Sequence, residues 1–408
     1  MPARQAALRM LDSVLRTGAT LDSSAGHAKS LAPADRALAL AIAGETLRRL
    51  PDLDELIDSA TRQRLPDDSK ARMVLRLALA QKVGLGTPDH ALVSTALPLV
   101  DGGPRRLVHG VLGTLLRRGL PAMPAPRLPA DVEARWAEAW GEDMVMAARA
   151  QIAGRPPLDL SFASDEAAQD FDGKSLAPRH VRLPSQAVEQ LPGFGSGEFW
   201  VQDLAASLPA RLVPTGARAV LDLCAAPGGK TMQLAAAGHD VTALDNSRRR
   251  LDRLRENLKR TGREARIVTA DLLEWKPDET FDAVLLDAPC SATGTFRRHP
   301  EVLHRARLSV IAEMAALQRR MLERAAAWVT PGGTLVYVVC SLEPDEGEQV
   351  ATDFLAANSA FAIAPPKPGE LPDFVPVSKE GWVRILPGLL AEEGGLDGFF
   401  IARLVAKG

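Results

Sequence analysis

Leu221-Asp-Leu-Cys-Ala-Ala-Pro-Gly-Gly-Lys230 is the stretch on which the rest of the 408-residue chain is organised. The apolar run Ala219–Leu223 has the length and composition of a buried strand. Pro227-Gly228-Gly229 then forces a turn and lets a ligand approach bare backbone. Lys230-Thr231-Met232-Gln233-Leu234 opens a helix. A strand, a glycine turn and a helix start an α/β ligand site, with the ligand at the carboxyl end of the strand.

The downstream sequence repeats this unit. Strands are expected at 219–223, 240–244, 265–269, 282–286 and 334–339, with helices at 230–237, 247–261 and 306–329. Gly398–Val405 reads as a final strand. Upstream, residues 3–118 carry helical periodicity throughout, with Leu8, Leu11 and Leu15 on one face. Pro121-Ala-Met-Pro-Ala-Pro-Arg-Leu-Pro129 is a stiff linker. Helices with Trp136 and Trp140 four apart follow, then short strands at 158–162, 181–183 and 199–201.

Composition narrows the class. The chain is 46% hydrophobic and 25% charged, as a globular protein is. It has no apolar run of membrane-spanning length and no signal-peptide pattern, so a cytoplasmic location without membrane attachment is expected. Three cysteines are too few for a disulfide framework, and no Cys/His cluster has metal-ligand spacing. The net charge of −2 is unevenly divided: residues 1–120 hold seventeen Lys/Arg against twelve Asp/Glu. Such a basic front suits nucleic acid, or simply a solvated surface.

The strand ends carry the chemistry. Asp245 lies about twenty residues past the glycine turn, where a carboxylate accepts ribose hydroxyls. Asp271 follows the third strand and Asp287 the fourth. One such Asp is commonly a helix cap; the set marks a site. The first turn lacks G-x-G-x-x-G, and the P-loop glycine is replaced by Cys224, which disfavours nicotinamide cofactors and nucleoside triphosphates. An acidic ring without phosphate-binding cations suits S-adenosyl-L-methionine, a sulfonium nucleoside with an ammonium group. Cys290 and Cys340 end two strands beside the same pocket. Methylation of cytosine at carbon 5 needs a thiolate to add at carbon 6, and a second group to help remove the carbon-5 proton. Either thiol could take either role on this reading. A silent RNA-binding or antitermination-type factor would need neither, and methylation of an exocyclic amine would not need Cys340.

Residues 198–408 resemble the Sun/Fmu family of RNA cytosine-5 methyltransferases. The resemblance rests on Val201-Gln202-Asp203, Leu221–Lys230, Asp287-Ala-Pro-Cys-Ser-Ala-Thr-Gly294, Arg297-Arg298-His299-Pro300, Val339-Cys340-Ser341, Leu386-Pro387 and Asp397-Gly398-Phe399-Phe400. Residues 1–120 resemble the NusB-type RNA-binding helical domain in Asp35-Arg36, Leu75–Ala80, Pro88–Ala91 and Leu107–Leu112. Together these imply a multidomain chain: an all-α NusB-like bundle (1–120), the proline-rich linker (121–129), a small α+β subdomain (130–200) and an α/β Rossmann-like methyltransferase core (201–408). They imply 16S ribosomal RNA, or an early small-subunit particle, as substrate and a monomeric enzyme. Cys340 is then the nucleophile and Cys290 assists product release. Cys224, Ala225, Ala226, Pro227, Gly228, Gly229, Lys230, Asp245, Asp271 and Asp287 contact S-adenosyl-L-methionine, and Asp287 also holds the cytosine. Arg297, Arg298 and His299 are expected on RNA phosphates. The sequence departs from the family pattern in Val339 for the usual Thr, in Glu346-Gly347-Glu348 for Glu-Asn, and in Pro157–Phe162, which lacks the usual Arg and Asn.

Overall fold

Helix signals in the first 120 residues act as the pattern requires. In the computed structural model, which describes residues 1–123 and 125–408, helices run over Pro2–Thr17, Pro33–Arg48, Leu50–Ser59, Lys70–Leu85, Asp89–Ala96 and Gly102–Arg118. Pro124, in the proline-rich stretch, lies outside the described residues. Gly18 stops the first helix in the left-handed region, its N–H on the Ser13 and Val14 carbonyls. Ser69 caps the fourth by accepting the Arg72 N–H. That fourth helix is buried from Ala71 to Gln81, polar positions included. Arg72 survives there because Asp54 and Asp58 hold its guanidinium at 3.0 and 2.7 Å.

The chain divides into two compact units: residues 1–154 with 296–305, and residues 155–295 with 306–408. This differs from the expected boundaries. Helices Ala130–Trp140 and Glu142–Ala153 group with the helical bundle, not with the small α+β subdomain. The physical reason is the linker. Arg127 bridges Asp52 and Glu55 of the bundle, which pins the following helices to it. Trp136 is buried in packing, its ring 5.5 Å from that of Phe296.

The second unit opens with a three-stranded antiparallel sheet in the order β2 (His180–Leu183), β1 (Leu158–Phe162), β3 (Phe199–Val201). Asp159 of β1 grips Arg182 of β2 through two bonds of 2.6 and 2.7 Å, both side chains buried. The core is an eight-stranded sheet. Its parallel strands are β4 (Ala219–Leu223), β5 (Asp240–Asp245), β6 (Arg266–Thr269), β7 (Phe281–Asp287) and β8 (Val329–Val339). Then come β9 (Phe361–Ile363), β10 (Val383–Ile385) and β11 (Phe399–Ala406). The order is β10-β11-β8-β7-β4-β5-β6, with β9 also on β11 and β11 antiparallel to β8. From β4 the chain builds outward through β5 and β6, then returns to lay β7 on the other side of β4. That reversal opens a crevice at the carboxyl ends of the strands. The apolar expectations for β4 to β8 and β11 hold to within a few residues, except that β8 begins earlier, at Val329.

Candidate active site

The glycine turn works as a cradle. Cys224 takes a positive φ of 59° straight after β4, and its neighbour Ala225 donates to the Leu244 carbonyl at 3.0 Å, bringing the ends of β4 and β5 together. Gly228 sits at φ 105°, and an added Cβ would lie 3.1 Å from the Leu254 side chain. The helix Gly229–Ala236 then leads away from the crevice.

A cavity of about 240 Å³ lies at these strand ends, lined among others by Cys224, Asp245, Asp271, Asp287, Cys290 and Cys340. Five successive parallel strands thus each deliver a predicted residue to one place. Asp245 is buried, accepting from the backbone of Ala226 (3.3 Å) and Ser247 (2.9 Å). Asp271 is exposed; one oxygen caps its own turn by accepting the Leu273 N–H at 2.8 Å. Asp287 binds the Lys230 ammonium at 2.7 Å. Burial acts to lower Lys230, but the Asp287 carboxylate outweighs it and holds the ammonium above its ordinary value. Ala225, Ala226, Pro227, Gly228 and Gly229 shape the turn behind the cavity.

The thiols differ in kind. Cys224 is pushed up to about 12 by burial, with Asp287 and Asp245 adding to it, so it stays a neutral, inert thiol. Cys290 and Cys340 sit with their sulfurs 3.4 Å apart, in hydrogen-bond contact. Cys290 is raised well above its ordinary value, first by that hydrogen bond to Cys340, then by burial and the charge of Cys340 and Glu346.

Two acids escaped the sequence reading. Asp222, inside β4, is completely buried and pushed up to about 7 by desolvation; one oxygen accepts the Thr231 hydroxyl at 2.5 Å and the other has no partner. Glu346 is equally buried, hydrogen-bonded to the residues that follow Cys290 and Cys340. The signal for Asp222 was its place at an inward position of the quoted strand. Nothing in the sequence marked Glu346 beyond its place in Glu346-Gly347-Glu348, where the family more often has Glu-Asn.

Arg297 is a correction. Its side chain is 1% exposed, which leaves no guanidinium surface for a phosphate in this structure. Arg298 is half-buried; so is His299, whose Nδ1 is 3.7 Å from Glu301. Arg248, Arg249, Arg253 and Arg255 form the exposed face of the helix Arg248–Thr261, whose Leu251, Leu254 and Leu258 face inward.

The cavity's donors fit S-adenosyl-L-methionine. Three carboxylates face one lining cation, Arg250, which is itself 3.4 Å from Asp245. A ribose, an ammonium and a sulfonium are matched by such a ring, and a polyphosphate is repelled by it.

Residues 209–405 match the family profile described as 16S rRNA methyltransferase RsmB/F, and residues 1–117 match that of the NusB family. The ribosomal RNA small subunit methyltransferase B of Salmonella arizonae is 42% identical over 241 residues, a match covering 56% of this chain and 52% of that protein. Its counterpart in Enterobacter sp. (strain 638) matches to the same extent. The chain spans about half the length of the curated relatives it matches. Among solved structures, a methyltransferase homolog protein from Pyrococcus horikoshii aligns at TM-score 0.56 and 27% identity, over 72% of this chain and 98% of its own. The structure of PH0851 shares the fold over 99% of both chains, at TM-score 0.74 and 23% identity. S-adenosyl-L-methionine is the cofactor of this methyltransferase class, in agreement with the carboxylate ring. By these matches, residues 209–405 are similar to the RsmB/F family of 16S rRNA methyltransferases and residues 1–117 to the NusB family.

Proposed function

We propose that the chain methylates carbon 5 of a cytosine in 16S ribosomal RNA, through a transient covalent bond between Cys340 and carbon 6. The observation that carries this reading is the 3.4 Å contact of two thiols on the wall of the cofactor cavity. Methylation of an oxygen or an exocyclic nitrogen needs no such pair. S-adenosyl-L-methionine, when bound, supplies an electrophilic methyl group.

The protein residues then divide the work. The Cys290 thiol donates its hydrogen bond to Cys340 and stabilises the thiolate there. Asp287, anchored by Lys230, holds the cytosine while Cys340 adds at carbon 6 and electron density rises at carbon 5. Once Cys340 is a thioether, its charge and its acceptor role toward Cys290 are gone. Those were two of the influences keeping Cys290 protonated, so Cys290 loses its proton to solvent more readily. As a thiolate it takes the proton from carbon 5, and the bond between Cys340 and carbon 6 breaks to return the Cys340 thiolate. The target base must leave any helix to reach this cavity, so an unpaired or flipped cytosine is the substrate form.

The test is a three-way comparison on unmodified 16S RNA, scoring 5-methylcytosine and protein–RNA adducts on denaturing gels. Cys340→Ala is expected to give neither product nor adduct, and Cys290→Ala to accumulate adduct. If both variants methylate like wild type, the thiol mechanism is wrong and an exocyclic amine is the acceptor.

A further inference from the structure

Glu346 occupies a place that the mechanism above does not use. Its side chain is fully buried, yet it lies in a polar knot and not in the apolar core. Oε1 accepts the Ser291 backbone N–H at 2.8 Å and the Gln318 amide at 3.1 Å. Oε2 accepts the Ser341 hydroxyl at 2.6 Å and the Ser291 hydroxyl. Its own carbonyl accepts the Tyr337 hydroxyl at 2.6 Å. Ser291 directly follows Cys290, and Ser341 directly follows Cys340. One carboxylate therefore fastens the two cysteine loops at the residue next to each sulfur.

We propose that Glu346 is a positioning residue for the thiol pair: it fixes the spacing of the two sulfurs, and its charge beside Cys290 decides which sulfur ionises first. The proposal rests on the two-thiol reading of the site and extends it. Four donors on two carboxylate oxygens favour the anion, although burial lifts the carboxyl above its ordinary range. A fixed anion next to Cys290 disfavours a second negative charge there, so Cys290 is kept as the donor and Cys340 is left to be the nucleophile. The nearby cations are already committed. Arg384 grips Glu348 through Nε at 2.8 Å and Nη2, and Lys230 binds Asp287. Tyr337, the remaining ionisable neighbour, is held neutral by burial.

The variant to make is Glu346→Gln, which keeps the shape and removes the charge. Two readouts are taken. The first is the rate of iodoacetamide alkylation at Cys290 and Cys340 between pH 6 and 10, resolved by peptide mass; it needs no RNA and stays informative if the cytosine reading fails. The second is kcat and KM on 16S RNA with the amount of trapped adduct. We expect Cys290 alkylation at pH 7.5 to rise by about tenfold with its profile moved to lower pH, and Cys340 to change by less than twofold. kcat should fall by at least tenfold at nearly constant KM, with less adduct trapped, because Cys290 then competes with Cys340 for the single negative charge. Glu346→Asp keeps the charge but shortens the reach, so it should restore the alkylation profile and not kcat. Should Glu346→Gln fail to fold, Ser341→Ala removes one of the hydroxyl struts and should lower kcat by about threefold. Wild-type alkylation and kcat in Glu346→Gln would overturn the proposal. So would an equal rise at both thiols together with a lower melting temperature, because that is general loosening. If Cys340→Ala still methylates while Glu346→Gln selectively activates Cys290, the two-thiol reading fails and the electrostatic link between Glu346 and Cys290 stands.

Discussion

Asp222 is an ionisable side chain placed where the fold disfavours its charge. Its carboxyl sits in β4 at no exposure, and desolvation raises it to about 7, with the Thr231 hydroxyl and the Lys230 charge opposing. A raised carboxyl contributes its full share of stability below the unfolded-state value near 4 and loses it as pH rises through about 7. The loss amounts to about 4 kcal/mol at 1.36 kcal/mol per unit, in order of magnitude. Asp222→Asn keeps the acceptor for Thr231 and cannot ionise. Its stability relative to wild type should therefore climb between pH 4 and pH 8 and level off above. Urea unfolding across that range checks this; a pH-independent difference would mean that Asp222 is ionised at no cost. The same residue shows how far the sequence could be read. Asp245, Asp271, Asp287 and the cysteines were legible because strand ends are punctuated by turns. Asp222 and Glu346 were not, because their meaning lies in what surrounds them in space: an apolar strand interior for one, Ser341 nearby and Ser291 from a distant loop for the other.

At the level of elements, two motifs that stood apart in the sequence turn out to be one contact. Gly294 closes the Cys290 loop and Gly398 immediately precedes β11. The Gly398 N–H donates to the Gly294 carbonyl at 2.8 Å, and the Gly294 N–H donates to the Cys340 carbonyl at 3.0 Å. A Cβ on Gly294 would lie 2.1 Å from the Gly398 carbonyl oxygen, a backbone atom that cannot swing aside. Gly294→Ala must therefore move the loop away from β8 and β11, and the Cys290 sulfur with it. We expect stability to fall by about 1–3 kcal/mol, as for other overpacked sites, and methyl transfer to fall by about a hundredfold, since displacements near 1 Å have that effect on catalysis. A variant with near wild-type turnover would show that the loop tolerates the shift. The glycines were visible as parts of separate motifs, and what they touch was not. Strands β9 and β10 were missed for a related reason. Each has three residues and is defined by its pairing with β11. The small sheet shows the converse. The Asp159 that replaces the family's usual polar pattern faces inward, onto Arg182.

For the whole molecule the unexpected feature is the ownership of residues 296–305, which belong to the helical unit although Thr295 and Ala306 belong to the other. Sequence reading gives domains as continuous stretches, so an insertion of this kind is invisible to it. The segment is held by specific groups. Glu301 accepts the Leu21 N–H at 2.9 Å, His304 Nε2 is 2.8 Å from the Leu47 carbonyl, and Phe296 packs its ring against Trp136. Phe296 and Trp136 are both fully buried, so Phe296→Ala leaves a cavity that neighbouring side chains fill only in part. The helical unit should lose about 3–5 kcal/mol by that mechanism. The loss has a site-specific readout. Arg297 is buried and Arg298 half-buried, so trypsin reaches neither bond in the folded chain, while the exposed Arg248, Arg249 and Arg253 provide an internal reference for cleavage elsewhere. In Phe296→Ala the fragments that begin at Arg298 or His299 should appear at least tenfold faster, with the reference cuts unchanged. Unchanged cleavage after Arg297 and Arg298 would mean that Glu301 and His304 hold the segment without Phe296. Faster cleavage at every arginine would mean that the substitution unfolds more than the segment it was chosen to loosen.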